Sequence, residues 1–325
     1  MPTSVRATAR LGDTGLEVTR LGLGGWVFGG PWEFGLGAQD DRESIRAIHE
    51  AVARGVNWID TAAVYGFGRS EEVVGRALHG LSADERPHVF TKCGLSWGQE
   101  RTTARKVGRP DSLRRECEAS LRRLRVEVID LLQLHWPPED GTPLVEAWGA
   151  LVDLRDEGKI RLAGVSNVSS EELEACERVA HVDALQAPLS LLRRGALDSI
   201  ALAAASLTGV LVYSPMQSGL LSGRWSRKRS ENLPEDDSRR ESKLFNGSGL
   251  ERALALVDRM KPIADRHNAT VAELAIAWTL DQPGVTAAIV GARSSAQIEG
   301  WLGAGDLTLD QEARSALAEA LAAVS

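Results

Sequence analysis

Residues 55–66 read Gly-Val-Asn-Trp-Ile-Asp-Thr-Ala-Ala-Val-Tyr-Gly, an apolar run that ends in Asp60 and continues to Tyr65. An apolar run bounded by turn residues predicts a buried strand, here over Val56–Asp60. The carboxylate then stands at the end of the strand, and the phenol lies in the loop just beyond it. Similar runs, each followed by a charged amphipathic stretch, recur along most of the chain.

This alternation is typical of parallel strands joined by crossover helices. The predicted strands are Leu21–Gly25, Val56–Asp60, His88–Lys92, Ile129–His135, Arg161–Ser166, Ala184–Gln186, Val210–Tyr213 and Ala287–Val290. The predicted helices are Asp41–Arg54, Ser70–His79, Ser112–Leu124, Leu144–Glu157, Glu171–Val179, Ala196–Ser206 and Thr270–Leu280.

Eight strand-helix units favour a closed (β/α)8 barrel of the TIM type, although the pattern alone leaves an open doubly wound α/β sheet as the alternative. Residues 10–18 predict a β-hairpin with a Gly-containing turn that closes the bottom of the barrel. We expect residues 1–325 to form one domain, a usual length for this fold. Ser70 and Ser169, each followed by acidic residues, are predicted to cap helices. The stretch Ser226–Gly249 predicts a long irregular loop, which is usually functional or mobile.

The overall charge and composition narrow the class of protein. A net charge of -7 argues against a nucleic-acid partner, because such proteins usually carry a basic face. The segment Met1–Thr8 lacks the apolar stretch of a secretory signal, and no later segment is long and apolar enough to cross a bilayer. Three cysteines without metal-ligand spacing fit a reducing compartment. We therefore expect a cytoplasmic protein with no membrane partner, whose oligomeric state stays open.

Four residues are candidates for chemistry. Asp60, Lys92 and His135 end the second, third and fourth predicted strands, and Tyr65 lies in the loop after the strand that ends in Asp60. Because barrels build active sites at the carboxyl ends of their strands, we expect these side chains to meet. A phenol can donate a proton, a nearby lysine cation can lower its pKa from about 10, and an imidazole can orient a carbonyl. Each residue alone has an ordinary structural reading, but their placement on consecutive strands favours a proton-transfer site.

The chain resembles the aldo-keto reductase superfamily from about Leu11 to about Gly300. The motifs that carry the resemblance are residues 55–66 with Ser70-Glu71-Glu72, Thr91-Lys92, residues 130–137, residues 158–161, residues 164–167, Gln186, Tyr213-Ser214-Pro215 with residues 218–223, and Gly291-Ala292-Arg293. The chain looks most similar to the bacterial reductases of the general-stress type. The potassium-channel beta subunits are more distant relatives.

The resemblance implies NADPH-dependent reduction of aldehydes or ketones by hydride transfer from the nicotinamide. It implies that Tyr65 donates the proton to the carbonyl oxygen and that Lys92 lowers the pKa of this phenol. Asp60 is then expected to pair with Lys92. His135 is expected to orient the carbonyl of the substrate.

The resemblance also implies a cofactor site. The nicotinamide is expected to stack on Tyr213, with its carboxamide held by Ser166, Asn167 and Gln186. Further residues expected at the cofactor are Trp26, Ser214, Pro215, Met216, Gln217, Ser218, Gly219, Leu221, Gly223, Arg224, Arg239, Gly291, Ala292, Arg293 and Gln297. Backbone N–H groups of residues 214–224 suit the pyrophosphate, and Arg293, at a predicted helix start, suits the ribose 2′-phosphate.

This end of the chain departs from the family in two places. Gln297 stands where many members have arginine, and Gly300-Trp301 replaces the usual Glu-Asn pair. Arg224 and Arg239, in the predicted long loop and just before it, are expected either to add charge at this site or to lie on the surface. A preference for NADPH over NADH is implied.

Four tryptophans, Trp26, Trp32, Trp97 and Trp136, lie in or near predicted loops at the top of the barrel. They suggest an apolar collar around a small carbonyl substrate with an apolar or aromatic part. An alternative function is an NADPH-binding sensor or regulatory subunit with slow catalysis, although the intact set of four candidate residues favours an enzyme. A metal-dependent hydrolase is disfavoured because no two histidines form a His-x-His pair, and no metal is expected.

Overall fold

The computed structural model describes residues 7–324; residues 1–6 and 325, and with them most of the segment read for a secretory signal, lie outside the described residues. The strands are β1 (Thr8–Arg10), β2 (Glu17–Thr19), β3 (Leu21–Gly24), β4 (Trp58–Asp60), β5 (His88–Cys93), β6 (Leu95–Trp97), β7 (Ala104–Lys106), β8 (Ile129–Leu134), β9 (Ile160–Ser166), β10 (Ala184–Pro188), β11 (Gly209–Tyr213) and β12 (Ala287–Gly291). The helices are α1 (Asp41–Ala53), α2 (Arg69–His79), α3 (Pro110–Leu124), α4 (Leu144–Asp156), α5 (Ser170–Glu177), α6 (Leu197–Ala205), α7 (Arg227–Glu231), α8 (Gly247–Arg266), α9 (Val271–Leu280), α10 (Ser295–Glu299) and α11 (Gln311–Ala322).

Within residues 7–324, eight parallel strands close into a barrel in the order β3-β4-β5-β8-β9-β10-β11-β12. The barrel closes because β12 pairs in parallel with β3, placing Ile289 opposite Gly22. A doubly wound open sheet is therefore excluded, and the predicted (β/α)8 TIM barrel is confirmed. Each of the eight predicted strands is present.

The hairpin of β1 and β2 covers the bottom of the barrel, as predicted. Its residues Leu11 and Val18 are fully buried and pack in one cluster with Trp58 and Phe90 from the barrel interior. The indole N–H of Trp58 donates to the backbone oxygen of Thr19 at 2.9 Å. Burial of each large apolar side chain stabilises the fold by about 1.5–3 kcal/mol. With the bottom sealed, the top of the barrel is the end that holds a cavity.

One of the two predicted helix caps is correct. Ser169 and Glu172 form a capping box at the start of α5. Ser70 was expected to cap α2, but that helix begins one residue earlier, after Gly68. Instead, the Ser70 hydroxyl donates to the Gly25 carbonyl at 2.7 Å and lies 2.8 Å from the Thr61 hydroxyl. Ser70 thereby ties together the chain segments that follow β3 and β4.

The stretch Ser226–Gly249 is more regular than predicted. It holds α7, two short 3-10 turns and the start of α8. The rings of Trp225 and Phe245 pack at 4.8 Å, and both side chains are buried. This tertiary contact orders a segment whose local composition is strongly polar. None of the described helices has the length and apolarity needed to cross a membrane.

Two glycines within helices have different surroundings: Gly75 is closely packed, and Gly149 has open space beside it. A Cβ on Gly75 of α2 would lie 2.3 Å from the backbone oxygen of Arg123, whereas a Cβ on Gly149 of α4 would meet nothing within 4 Å. We predict that Gly75→Ala lowers the free energy of unfolding by about 1–3 kcal/mol, because α2 and α3 must move apart. Gly149→Ala should raise it by about 0.5–1 kcal/mol through helix propensity. Equilibrium urea unfolding of both variants checks this, and equal effects of the two substitutions would contradict it.

Candidate active site

The structure brings the four candidate residues together at the top of the barrel. Asp60, Tyr65 and His135 line a cavity of 1550 Å³, and Lys92 lies just behind them, buried. The Lys92 ammonium is 5.3 Å from the centre of the Tyr65 ring. The rings of Tyr65 and His135 are 5.8 Å apart. Parallel strands that end at the same level account for this convergence.

An ion pair lies at the base of the site. Lys92 Nζ donates to Asp60 Oδ1 at 2.5 Å and to the Thr61 carbonyl at 2.8 Å, and both charged side chains are almost completely buried. Burial lowers the pKa of Lys92, and the carboxylates of Asp60 and Glu71 oppose that shift. A buried pair of this kind persists only when its remaining hydrogen-bonding atoms are satisfied.

The second oxygen of Asp60 is held by Gln186. Gln186 Nε2 donates to Asp60 Oδ2 at 2.8 Å and lies 3.3 Å from Gln133 Oε1. Its amide hydrogens are therefore directed at the barrel interior, which leaves Gln186 Oε1 for the carboxamide expected from the sequence. Gln133 was missed by sequence reasoning. Its inward direction follows from strand alternation, because it lies two residues from Leu131 in the same interior.

The electrostatic surroundings keep both proton-carrying groups neutral. Burial raises the pKa of Tyr65 well above its ordinary value, and the charge of Asp60 adds to this shift. Lys92, which is expected to lower this pKa, lies with its ammonium 5.3 Å from the ring centre and paired with Asp60. Burial, and then the charge of Lys92, lowers the pKa of His135 well below its ordinary value. A protonated phenol and a neutral imidazole thus face one cavity.

A hydrogen-bonded chain joins the opposite wall of the cavity to this site. The Tyr213 hydroxyl donates to Asn167 Oδ1 at 2.7 Å. Asn167 Nδ2 in turn donates to the His135 carbonyl and to the Ser166 hydroxyl, both at 3.0 Å. Asn167 adopts a left-handed backbone conformation with φ of 60°, which asparagine tolerates better than most residues. The chain fixes the flat ring of Tyr213 at the cavity wall.

The cavity contains most of the residues expected at a cofactor. From the expected set, the lining includes Trp26, Ser166, Asn167, Gln186, Tyr213, Ser214, Pro215, Met216, Ser218, Gly219, Arg224, Arg239, Gly291, Ala292, Arg293 and Gln297. Sequence reasoning missed other lining residues, among them Val27, Phe34, Leu36, Ser222, Arg229 and Trp301.

Three expected residues support the loop after β11 without lining the cavity. Gln217 Nε2 donates to the Ser190 hydroxyl at 2.8 Å, Leu221 is fully buried in the core, and Gly223 lies against Val271. The side chains of Gln217 and Leu221 are directed into the protein and Gly223 has no side chain, so at these three positions the backbone is the part left for the expected contact with a cofactor. The backbone between them turns through several positive φ angles, a costly geometry that functional loops often retain.

Arg293 anchors a loop at the far end of the cavity. Its guanidinium donates to Gln39 Oε1 at 3.1 Å, to the Leu36 carbonyl at 2.8 Å and to the Ala38 carbonyl. Its backbone N–H donates to Gln297 Oε1 at 2.9 Å. Arg293 therefore holds residues 36–39 in place, and most of its hydrogen-bonding capacity is already used.

The two other expected arginines lie in different environments. Arg239 is mostly buried: it pairs with Asp237 at 2.5 Å, donates to the Ser218 carbonyl at 3.1 Å and lies over the Trp225 ring. The surface alternative is thus wrong for Arg239. Arg224 is exposed at the cavity rim, and its guanidinium makes no hydrogen bond to any residue in 7–324.

Aromatic side chains form the remaining wall. Trp32 packs 5.9 Å from Tyr65 and 6.2 Å from Phe67, and Phe67 packs 5.7 Å from Trp97. Trp136, which lies under the Lys106 ammonium, also lines the cavity. The hairpin of β6 and β7, which sequence reasoning missed, brings Trp97 to this wall. All four predicted tryptophans line the cavity.

Glu116 of α3 holds the backbone at the start of that hairpin. Its Oε2 accepts from the Gly94 N–H at 2.8 Å, and its Oε1 accepts from the Ser112 hydroxyl at 3.1 Å. Burial raises the pKa of Glu116 to about 7, and the two hydrogen bonds only partly offset that shift. Glu116 was also missed by sequence reasoning, because nothing local marks a helical glutamate as buried.

Comparison with known proteins places the chain among reductases. The aldo/keto reductase family model matches residues 20–322. Aldo-keto reductase YhdN of Bacillus subtilis is 35% identical over 292 residues, which cover 89% of this chain and 86% of the relative. The NADH-specific methylglyoxal reductase of Escherichia coli is 34% identical over 302 residues, which cover 89% and 90%. Among solved structures, the glycerol dehydrogenase AKR11B4 from Gluconobacter oxydans is 37% identical with a TM-score of 0.88, covering 97% of this chain and 95% of the other.

Glu116→Gln should change the pH dependence of stability. Since the pKa of Glu116 is raised from 4.5 to about 7 in the folded protein, its contribution to stability is present below 4.5 and is lost as pH rises to 7. We predict that the variant is more stable than the parent above pH 7, by up to about 3 kcal/mol, and matches it near pH 4. Urea unfolding across this range measures the difference. The exposed Glu127→Gln is the control, and a pH-independent difference would contradict the account.

Proposed function

The chain belongs to the aldo/keto reductase family, and on that premise we propose that it reduces aldehydes or ketones to alcohols with NADPH, in the cytoplasm. The observation that carries this proposal is the protonated phenol of Tyr65, which faces the cavity beside the neutral imidazole of His135. Behind them lies the buried pair of Lys92 and Asp60. The full set favours an enzyme over the alternative of a slow regulatory subunit.

The residues present fit a nicotinamide dinucleotide. The ring of Tyr213 offers a flat face in the cavity, and Ser166 and Asn167 add polar groups beside it. The amide hydrogens of Gln186 are directed at Asp60 and Gln133, which leaves its side-chain oxygen as an acceptor. Together with Ser166 and Asn167, this oxygen gives a set of donors and acceptors suited to a carboxamide. When bound, the cofactor supplies a hydride to the carbonyl carbon.

Tyr65 acts in this proposal as the general acid. As the carbonyl carbon gains a hydride, its oxygen becomes more basic and takes the phenolic proton. The developing negative charge on Tyr65 is then stabilised by Lys92, whose ammonium is 5.3 Å from the ring centre. The neutral His135 orients the carbonyl oxygen by hydrogen bonding. Gln186 and the Thr61 carbonyl keep the ion pair in place during proton transfer.

The aromatic wall supports substrates with an apolar or aromatic part next to the carbonyl. Trp32, Phe67 and Trp97 form a connected surface beside Tyr65. The names of two relatives refer to small polar substrates, methylglyoxal and glycerol. We propose that the present chain accepts larger carbonyl compounds as well.

The positive charge at the far end of the cavity supports the proposal that NADPH, rather than NADH, is the cofactor. Arg224, Arg229, Arg239 and Arg293 line this end, and Asp237 is paired with Arg239. The surplus of positive charge suits the additional phosphate of NADPH. One relative is named as NADH-specific, so the preference needs a direct test in this chain.

Tyr65→Phe tests the chemistry. The variant keeps the aromatic ring but loses the transferable proton, so we predict that turnover falls by about 10²–10⁴-fold. The affinity for NADPH should stay near that of the parent. Stopped-flow or steady-state oxidation of NADPH with an aromatic aldehyde measures turnover, and fluorescence titration measures binding. Near-parental turnover would exclude Tyr65 as the donor.

A pair of arginine variants tests the cofactor preference. Because the Arg224 guanidinium has no partner within residues 7–324, Arg224→Ala should weaken NADPH binding by about 1.5–3 kcal/mol and leave NADH unchanged. Arg293→Ala should weaken both cofactors, because it releases the loop of residues 36–39. Fluorescence titrations at fixed salt compare the four affinities. Equal losses of both cofactors in Arg224→Ala would contradict the assignment.

A further inference from the structure

A second cavity lies on the outside of the barrel, between α1, α2 and α3. Its volume is 350 Å³, at the small end of ligand-sized cavities. Its lining includes five arginines, namely Arg69, Arg76, Arg122, Arg123 and Arg125. None of the residues assigned to reduction lines this cavity, which we call the arginine cleft.

Two of the arginines are held in place from the α1 side. Arg69 and Arg76 each pair with one oxygen of Asp41, at 2.7 Å and 2.5 Å. Arg69 also donates to the Gln39 carbonyl at 2.8 Å. Their guanidinium groups are therefore already ordered, so little side-chain entropy would be lost when a ligand binds.

A third arginine, Arg123, is held by the buried carboxylate of Glu71. Arg123 Nε donates to Glu71 Oε2 at 2.6 Å, and Arg123 Nη2 lies 3.3 Å from the Ser120 hydroxyl. Glu71 is fully buried and also accepts from the Thr91 hydroxyl at 2.6 Å. This fixed base sets the position of the Arg123 guanidinium at the floor of the arginine cleft.

The guanidinium groups of the last two arginines are available to bind a ligand. Arg122 and Arg125 are exposed, and their guanidinium groups make no hydrogen bond or salt bridge to any residue in the range 7–324. Arg125 ends α3 in a left-handed conformation with φ of 58°, a position that glycine usually occupies. This backbone conformation is strained for a residue with a side chain. Its side chain nevertheless lines the arginine cleft.

The arginine cleft carries a net positive charge, although the protein as a whole is negatively charged. The lining carboxylates are Asp41 and Glu72, and Glu71 lies behind Arg123, so five guanidinium groups leave a surplus of two positive charges. The whole protein carries a net charge of -7, so this surplus does not follow from composition. Like charges that line one cavity repel one another, and a bound anion would offset this repulsion.

We propose that the arginine cleft binds a small polyvalent oxyanion, with a phosphate-type group bridging Arg122 and Arg125 to the ordered Arg69, Arg76 and Arg123. Guanidinium forks match the oxygens of phosphate groups and can bind them through paired hydrogen bonds. A solvated charged surface would explain why arginines are exposed here. It would not explain why three arginines are ordered by carboxylates around one cavity whose lining also includes two arginines with unpaired guanidinium groups.

The test is isothermal titration of the full chain with inorganic pyrophosphate at fixed ionic strength. Arg122→Gln/Arg125→Gln removes the two arginines whose guanidinium groups have no protein partner, and we expect its affinity to fall at least about tenfold, because charge-assisted hydrogen bonds to the anion are lost. Citrate, titrated under the same conditions, distinguishes a phosphate-type ligand from a polycarboxylate. Loss of pyrophosphate binding in this variant supports the proposal, whereas a loss confined to citrate would contradict a phosphate-type ligand.

A matched control makes the result specific. Arg252→Gln/Arg259→Gln removes the same charge from exposed positions of α8. This control should retain the parental affinity. Circular dichroism and thermal melting check that each variant folds. The proposal is overturned if neither anion binds at millimolar concentration, if the Arg122 and Arg125 variant binds like the parent, or if the α8 control loses as much.

Discussion

The ion pair between Lys92 and Asp60 is the constraint on which the rest of the site depends. Both groups are buried, so each charge is tolerated because the other is 2.5 Å away, Lys92 also donates to the Thr61 carbonyl, and Gln186 donates to the second Asp60 oxygen. The pairing requires β4 and β5 to be neighbours in a closed barrel. Burial, to which the charge of Asp60 adds, leaves the phenol of Tyr65 protonated and ready to donate.

The bottom of the barrel contributes to stability, and the top holds the cavity for recognition. The hairpin of β1 and β2 seals the bottom with apolar contacts, whereas segments at the top are held by polar contacts. Glu116 holds the start of the β6–β7 hairpin, and Arg293 holds residues 36–39. Because both segments lie in loops that follow barrel strands, recognition can vary in this fold while the strands that carry the ion pair stay the same.

The parts predicted from sequence are those with a local or periodic signal. Apolar runs of strand length located the barrel strands, and polar residues at their ends located Asp60, Lys92 and His135. Gln133, Glu116 and the packing of Phe245 were missed because their burial depends on distant segments. Ser70 looked like a cap because Ser-Glu-Glu is a capping pattern, yet its hydroxyl found partners in the tertiary structure. The contacts of Arg293 with residues 36–39 were missed for the same reason, since these partners lie more than 250 positions away.

The most direct test of the central claim is the coupling between the two buried charges. Lys92→Met leaves an unpaired carboxylate and Asp60→Asn leaves an unpaired ammonium, so each should lower the free energy of unfolding by about 3–5 kcal/mol. The double variant has no buried charge at this point. Equilibrium urea unfolding at pH 7 should therefore show that the double variant loses no more stability than either single variant. Losses that simply add would contradict the claim that the pair acts as one unit.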